Sequence, residues 1–203
     1  MNKKPIKFQK TLLLLANGFE ILEASAFIDV MGWNLHEGDY STILHSAGLT
    51  KEIKSSFDQK FIADYLVEEI NVDSFDALAI PGGFKEFKYY EDAYSEGFLN
   101  IIKQFKAKDK PIASVCVGAL PVARSGILKN KKGTTYNTTE HISSLKKNGV
   151  TILKKTIVID DNIITSNGPS TATDVAFILL EKLTSLKNVK KVKKLMGFYN
   201  NVK

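Results

Sequence analysis

The fold can be inferred from one ten-residue stretch, PIASVCVGAL (residues 111–120). A short apolar run ends at Cys116, and small residues with helical character follow at once. This pattern predicts a strand that turns sharply into a helix and lifts the thiol into a cleft. The N–H groups at the start of that helix would favour the thiolate form of Cys116. The alternative is an inert thiol in the core, because free cysteine is among the most buried residue types.

Apolar strand-like runs on both sides of this stretch alternate with longer amphipathic runs. The alternation predicts a mostly parallel sheet with helices on both faces. We place strands at residues 11–16, 41–46, 77–81, 111–115, 156–159 and 162–166, the last two joined by a tight turn at Asp160-Asp161. We place helices at residues 20–33, 91–108, 117–125, 140–148 and 170–183. The first helix has little polar surface and should be mostly buried, and Ser170 or Thr171 should cap the last one.

The composition is consistent with one α/β domain over residues 1–203 that needs no disulfide or metal ion to hold it together. The 203 residues are 44% hydrophobic and 25% charged, which is enough for a sizeable core. The single cysteine excludes an internal disulfide and a cysteine cluster for zinc, and three scattered histidines have poor ligand spacing. We therefore expect no metal and no other cofactor. The apolar run at residues 12–16 is too short for a signal peptide or a membrane span, so we expect a cytoplasmic protein without membrane association.

The net charge of +6 is concentrated at the C-terminal end of the chain. Residues 187–203 contain six lysines and no acidic residue, whereas the rest of the chain is close to neutral. A helix from residue 188 to 200 would carry these lysines on one face and an apolar stripe on the other, and the stripe should pack on the body or on a partner subunit. Lysine runs of this kind are usually solvated helix faces, and Arg124 is the only arginine. Nucleic-acid binding is therefore not expected.

Residues that could take part in catalysis follow several of the predicted strands. Open α/β sheets bind their ligands there, at the carboxyl ends of the strands. Glu23 lies one turn into an apolar helix, so burial would raise its pKa, and contact with Cys116 would make the two groups share one proton. The alternative is a first-turn carboxylate that only interacts with the helix dipole. The N–H groups of Gly83 and Val117 would form an oxyanion hole over the thiol. A Pro-Gly-Gly turn at residues 81–83 is by itself a weak signal, since most such turns are only turns.

Four segments, at residues 18–23, 80–83, 114–119 and 166–171, together resemble the ThiJ/PfpI family of the class I glutamine amidotransferase-like superfamily. They match the family in order and spacing, and the similarity covers residues 11–184. The resemblance implies a flavodoxin-like α/β fold, a three-layer sandwich, and a homodimer.

The resemblance also assigns roles to individual residues. Cys116 matches the nucleophile of the family's elbow, and Glu23 matches the glutamate that bonds it. Gly83 and Val117 match the two oxyanion-hole amides. The substrate implied is a small electrophile, such as a carbonyl compound.

The sequence departs from the family pattern at three places. Protease members carry a histidine directly after the cysteine, where this chain has Val117. Glyoxalase-like members carry Thr-Thr-His where this chain has Tyr136, which can donate a proton but is a poor base. His141 is a second candidate for the base, unless it is a surface histidine. The loop at residues 166–171 lacks the His and Glu pair of glutamine amidotransferases, so neither protease nor glutaminase activity is expected.

Three functional hypotheses remain open from the sequence. The first is a cysteine-dependent small-molecule enzyme of the glyoxalase, deglycase or hydrolase type, in which Cys116 attacks an electrophilic carbon. The second is a redox-sensing or stress-protective protein in which Cys116 is oxidised without turnover. The third is a ligand-binding or assembly module whose site is vestigial.

Overall fold

The computed structural model of the protein describes residues 8–198, which form eleven strands and seven α-helices. The strands are β1 (Gln9–Leu14), β2 (Thr42–Gly48), β3 (Glu52–Lys54), β4 (Lys60–Ile62), β5 (Tyr65–Leu66), β6 (Ala77–Ile80), β7 (Ile112–Ser114), β8 (Lys132–Gly133), β9 (Thr151–Ile152), β10 (Ile157–Asp160) and β11 (Ile163–Ser166). The helices are α1 (Ile21–Glu37), α2 (Tyr89–Ala93), α3 (Glu96–Ala107), α4 (Ala119–Arg124), α5 (Thr139–Lys147), α6 (Ala172–Leu183) and α7 (Leu186–Leu195).

A seven-stranded sheet organises the structure, with the strand order β10-β11-β7-β6-β1-β2-β5. All neighbouring strands in it are parallel except β10, which runs antiparallel to β11. All six predicted strands lie in this sheet. The tight turn between β10 and β11 lies at Asp161-Asn162, one residue later than predicted, because Asp160 still pairs with Ile163, and Asp161 has a positive φ of 52°. The edge strand β5 and two small sheets, β3-β4 and β8-β9, were not predicted, because each strand in them has only two or three residues.

The sheet is buried on both faces, which confirms the three-layer α/β architecture. On one face, Leu12, Leu14 and Ile80 pack into a core with α3 and α4. On the other face, Leu13 and Ala79 pack into a second core with α1 and α6. Every residue of β6 is fully buried, as expected for a central parallel strand covered by helices on both sides.

Two of the predicted helices differ from those observed. The predicted helix at 91–108 is divided, because the Ser95 hydroxyl accepts a hydrogen bond from the N–H of Phe98 and starts α3 as a new helix. The prediction that the first helix is mostly buried was wrong on its outer side. Leu22, Ile28 and Trp33 are 57%, 40% and 39% exposed, so α1 presents large apolar side chains to solvent.

The C-terminal helix α7 packs on the body of the protein. Val189 and Val192 are buried in the same core as α1 and α6. The side-chain amide of Asn188 donates to Oδ1 of Asn34 in α1 at 2.6 Å, which fixes the helix laterally. The predicted helix at 188–200 was too long at its C-terminal end, because α7 ends at Leu195 and Gly197 has a positive φ of 83°. Residues 199–200 of the prediction lie outside the described residues. None of the helices within residues 8–198 combines the length and apolar character that a membrane span needs.

Candidate active site

Cys116 lies at the predicted turn from strand to helix. The N–H of Val115, just after β7, donates to the carbonyl of Ile80 at 3.1 Å and keeps the chain in the sheet up to that point. Cys116 then adopts a φ of 56°, an uncommon and strained value for a residue that is not glycine. A short 3₁₀ turn from Cys116 to Gly118 leads directly into α4. A side chain at Gly118 would lie 2.7 Å from the carbonyl oxygen of Ile80, so the tight turn requires glycine there.

Glu23 is fully buried in the first turn of α1 and faces the thiol. The N–H of Gly82 donates to its Oε2 at 2.6 Å, whereas Oε1 has no nitrogen or oxygen donor within residues 8–198. Burial raises the pKa of Glu23 from 4.5 to about 8, although the Gly82 N–H and a side-chain hydrogen bond with Cys116 oppose the rise. Glu23 therefore holds its proton at neutral pH. The N-terminus of α1 is capped instead by Glu20, which accepts a hydrogen bond from the N–H of Leu22 at 3.3 Å.

The thiol of Cys116 is half-buried, and its pKa moves opposite to the expected direction. Burial raises the pKa of Cys116, and negative charge on Glu23 raises it further, whereas a hydrogen bond from the N–H of Val117 lowers it. The expectation of an acidified thiol was wrong because both apolar cores contact this side chain, and one N–H group does not offset that burial. The acid and the thiol each shift the pKa of the other, so their protons are lost as steps of the pair.

Gly83 and Val117 line the same cavity as the thiol, and the N–H of Val117 bonds the sulfur. The N–H of Gly83 donates to no acceptor within the described part of the chain, which leaves it available to a ligand. The buried hydroxyl of Tyr89 donates to the carbonyl of Pro81 at 2.8 Å and holds the turn. A side chain at Gly83 would lie 2.3 Å from the carbonyl oxygen of Gly18. Close packing on both sides therefore fixes the direction of this N–H group.

One cavity of about 610 Å³ brings all the candidate site residues together. Its lining includes the six residues singled out from the sequence, which are Cys116, Glu23, Gly83, Val117, Tyr136 and His141. Glu20, Glu86 and Glu140 also face this cavity, together with Lys85. No group of three or more His, Cys, Asp or Glu side chains between residues 8 and 198 is arranged to hold a metal ion.

His141 is part of the cavity wall and not a surface histidine. Thr138 caps α5 by accepting a hydrogen bond from the N–H of His141 at 3.2 Å, which places the imidazole in the first helical turn. Its Nε2 lies 3.4 Å from the hydroxyl of Tyr90, and its Nδ1 is buried without a partner in the described residues. Burial raises the pKa of Tyr90, so its hydroxyl remains protonated, and the tautomer of the imidazole decides which of the two groups donates. Tyr136 is 45% exposed, with its ring centroid 6.1 Å from that of His141.

Tyr90 is a residue of the cavity wall that sequence reasoning missed. It belongs to no motif, and only the position of α2 relative to α5 brings it to His141.

The expected side-chain cap of the last helix is not formed, although one of the two predicted residues stands at the N-cap position. Thr171 occupies the N-cap position of α6, but its hydroxyl donates to the carbonyl of Gly168 at 2.6 Å and caps no helical N–H. Pro169 is the residue of this segment that reaches the cavity.

A strained cysteine at a strand-to-helix turn, facing a buried glutamate on a mostly parallel sheet, defines a class of α/β proteins with a nucleophile elbow. Within that class, the chain belongs to the DJ-1/PfpI family, whose model matches residues 9–182. This confirms the resemblance to ThiJ/PfpI proteins.

Individual relatives agree with this family assignment. The chain is 30% identical over 172 residues to Protein DJ-1 homolog B of Arabidopsis thaliana, an alignment that covers 84% of this chain and 37% of that protein. It is 29% identical to Protein dj-1beta of Drosophila melanogaster over 95% of this chain and 99% of that protein. The chain thus spans well under half of the Arabidopsis protein but nearly all of the Drosophila protein.

Solved structures support the flavodoxin-like fold. The crystal structure of Drosophila melanogaster DJ-1beta matches with a TM-score of 0.81 and 26% identity, over 93% of this chain and 97% of that chain. Schizosaccharomyces pombe DJ-1 matches with a TM-score of 0.77 and 26% identity, over 92% and 98% of the two chains.

Proposed function

We propose that the protein is a cysteine-dependent enzyme that acts on small carbonyl compounds such as α-oxoaldehydes or activated amides. The observation that carries the proposal is the convergence of four groups on one cavity: the Cys116 thiol, the protonated Glu23 carboxyl, and the N–H groups of Gly83 and Val117. These are the nucleophile, its hydrogen-bond donor and an oxyanion hole. Its membership of the DJ-1/PfpI family is consistent with this chemistry.

The reaction begins with removal of the thiol proton. Because Glu23 retains its own proton at neutral pH, it cannot accept a second one and serves instead as a donor to the sulfur. We assign the base to Nδ1 of His141, which has no partner among the described residues, in the tautomer whose Nε2–H donates to the hydroxyl of Tyr90. The thiolate forms a bond to the carbonyl carbon while the C=O π bond breaks. The new oxyanion accepts hydrogen bonds from Gly83 and Val117 and then takes the proton back from His141.

The experiment measures consumption of methylglyoxal by the wild type and matched variants. Cys116→Ser should abolish consumption, and His141→Gln should lower kcat/KM by roughly 10²- to 10⁴-fold, the range for loss of a general base. His36→Gln, which removes an exposed histidine at the end of α1, is the matched control and should retain full activity. Wild-type turnover by the Cys116→Ser variant would exclude the enzyme proposal. Equal losses in the two histidine variants would exclude His141 as the base.

A second candidate function is redox sensing at Cys116. The protonated Glu23 carboxyl, with no nitrogen or oxygen donor to Oε1 in the described residues, is placed to donate a hydrogen bond to an oxidised sulfur. Two equivalents of peroxide would add two oxygen atoms to the thiol and release two molecules of water. Mass spectrometry after mild peroxide would favour this function if Cys116 gains two oxygens while methylglyoxal is not consumed. If Cys116→Ala changes neither property nor any phenotype, the site is vestigial.

We also propose that the protein forms a homodimer, as the family resemblance implies. The exposed apolar side chains Leu22, Ile28 and Trp33 on the outer side of α1 support this proposal, because such groups are often covered by a partner. Sedimentation velocity of the full chain gives the oligomeric state directly, and a monomer at micromolar concentration would contradict it.

A further inference from the structure

A second cavity, of about 620 Å³, lies beside the candidate active site. The segment from Thr134 to Thr139 separates the two cavities. Thr135 and Asn137 line the second cavity, whereas Tyr136 and Thr138 line the first. The two cavities are therefore distinct spaces with a common wall.

The two cavities differ in charge. Three lysines, Lys146, Lys154 and Lys155, line the second cavity, and none of its lining residues is acidic. None of the three lysines forms an ion pair within residues 8–198. Three ammonium groups around one concave surface create a local field that attracts anions. We propose that this second cavity is a binding site for a small organic anion.

The remaining lining residues indicate the chemistry of that anion. Asn137 and Asn167 contribute side-chain amides that have no hydrogen-bond partner among the described residues, so their N–H groups can donate to oxygen. Ile142, Ile152 and Leu153 add an apolar wall. A ligand that fits both features carries a phosphate or carboxylate group on an apolar body.

The backbone holds this cavity in a defined shape. The N–H of Leu153 donates to the carbonyl of Gly133 at 3.0 Å, and the N–H of Asn167 donates to the carbonyl of Thr156 at 3.0 Å. These two bonds flank Lys154 and Lys155 and fix both ends of the loop that carries them. The backbone of this loop therefore needs little ordering on binding, which favours affinity.

The common wall also contacts the nucleophile turn. The hydroxyl of Thr135 donates to the carbonyl of Cys116 at 3.0 Å. The N–H of Thr134 donates to the hydroxyl of Thr165 in the central sheet at 3.0 Å. The site is thus anchored to the rigid part of the fold, and its ligand would touch the segment that supports Cys116.

Phenyl phosphate and benzoate are suitable probes, with benzyl alcohol as the neutral analogue. In a ¹H–¹⁵N NMR titration of the full chain, at least one anion should give saturable shifts confined to residues 134–137, 142, 146, 152–156 and 167. Benzyl alcohol should give none of these shifts. The anion with the stronger response identifies the preferred head group. Absence of saturable shifts with both anions at about 10 mM would overturn the proposal.

Matched double variants distinguish specific binding at the second cavity from general attraction of the anion to a basic protein. Lys154→Gln with Lys155→Gln should weaken binding by about tenfold or more, the loss expected for two partly solvated charge contacts. Lys187→Gln with Lys190→Gln removes the same charge from α7 and should leave the affinity unchanged. Equal weakening in both double variants would show only non-specific attraction to a basic protein and would overturn the proposal. Cys116→Ser should bind the anion normally, so this test is independent of the proposed enzyme activity.

Discussion

Replacing Glu23 by glutamine tests the protonation state on which the proposed chemistry depends. Glutamine is a neutral isostere of the protonated acid: its carbonyl can accept the Gly82 N–H, and its amide can donate toward the sulfur. The pKa of Glu23 is raised from 4.5 to about 8 by burial. Between these two values the unfolded chain has released the proton while the folded protein still holds it. The wild type therefore loses free energy of unfolding as the pH rises through this window.

The size of the effect follows from the two pKa values. Each pH unit inside the window costs the wild type about 1.4 kcal/mol, and integration from about pH 5 to pH 8 gives about 3 to 4 kcal/mol. Glu23→Gln does not titrate and avoids this loss. The variant should therefore be close to the wild type in stability near pH 5 and more stable by about 3 to 4 kcal/mol near pH 8.

Urea unfolding followed by circular dichroism at several pH values measures this difference. Taking the variant minus the wild type at each pH cancels the contributions of all other titrating groups. Glu86→Gln, an exposed carboxylate at the rim of the same cavity, is the control, and its difference should stay within about 0.5 kcal/mol at every pH. A Glu23→Gln difference that does not change with pH would show that Glu23 is ionised in the folded protein, and the proposed role as a donor would then be wrong.

Two further predictions concern contacts that hold the site and the last helix. Tyr89→Phe removes the buried hydroxyl that donates to the carbonyl of Pro81, so the free energy of unfolding should fall by about 1 to 3 kcal/mol and methylglyoxal turnover should fall with it. Unchanged turnover would mean that the turn is held by other contacts. Asn188→Ala removes the buried bond to Asn34 and should cost about 1 to 3 kcal/mol in urea unfolding, whereas Lys187→Ala on the solvent side of α7 should have little effect.

The central sheet could be predicted because its strands carry strong local signals. Apolar runs such as residues 77–80 are buried on both faces of the sheet. In an α/β chain, a short run of that composition is most simply assigned to a buried parallel strand. The turn at Cys116 was also visible, since a strand-like run meets a small-residue run without a linker. Strands of two or three residues, such as β5 and β8, contain too few positions to show a period of two. Their positions depend on pairing partners that are distant in sequence.

The details of the site depend on tertiary packing to a greater extent. Local sequence suggested that the helix N-terminus would acidify Cys116, but the thiol is surrounded by apolar groups from both faces of the sheet, and this burial outweighs one N–H. His141 entered the cavity because Thr138 starts α5 three residues earlier. A shift of one residue in that start would have rotated the imidazole by about 100° around the helix. No local pattern indicated that Tyr90 would lie opposite it.

Two energetic costs at the site support the proposal that it is functional. A strained φ at Cys116 costs on the order of 1 to 3 kcal/mol, and the buried acid at Glu23 lowers stability further as the pH rises toward 8. Either cost could be removed by a single substitution, since glutamine in place of Glu23 would keep the Gly82 bond without titrating. Both costs fall at the same cavity, which Gly83 and Val117 also line. Unfavourable features such as a strained backbone angle and a buried titratable acid are concentrated at functional sites. Where no function depends on them, a substitution can remove each one separately. These two costs support the proposal that the protonated acid beside the thiol takes part in the chemistry of the site.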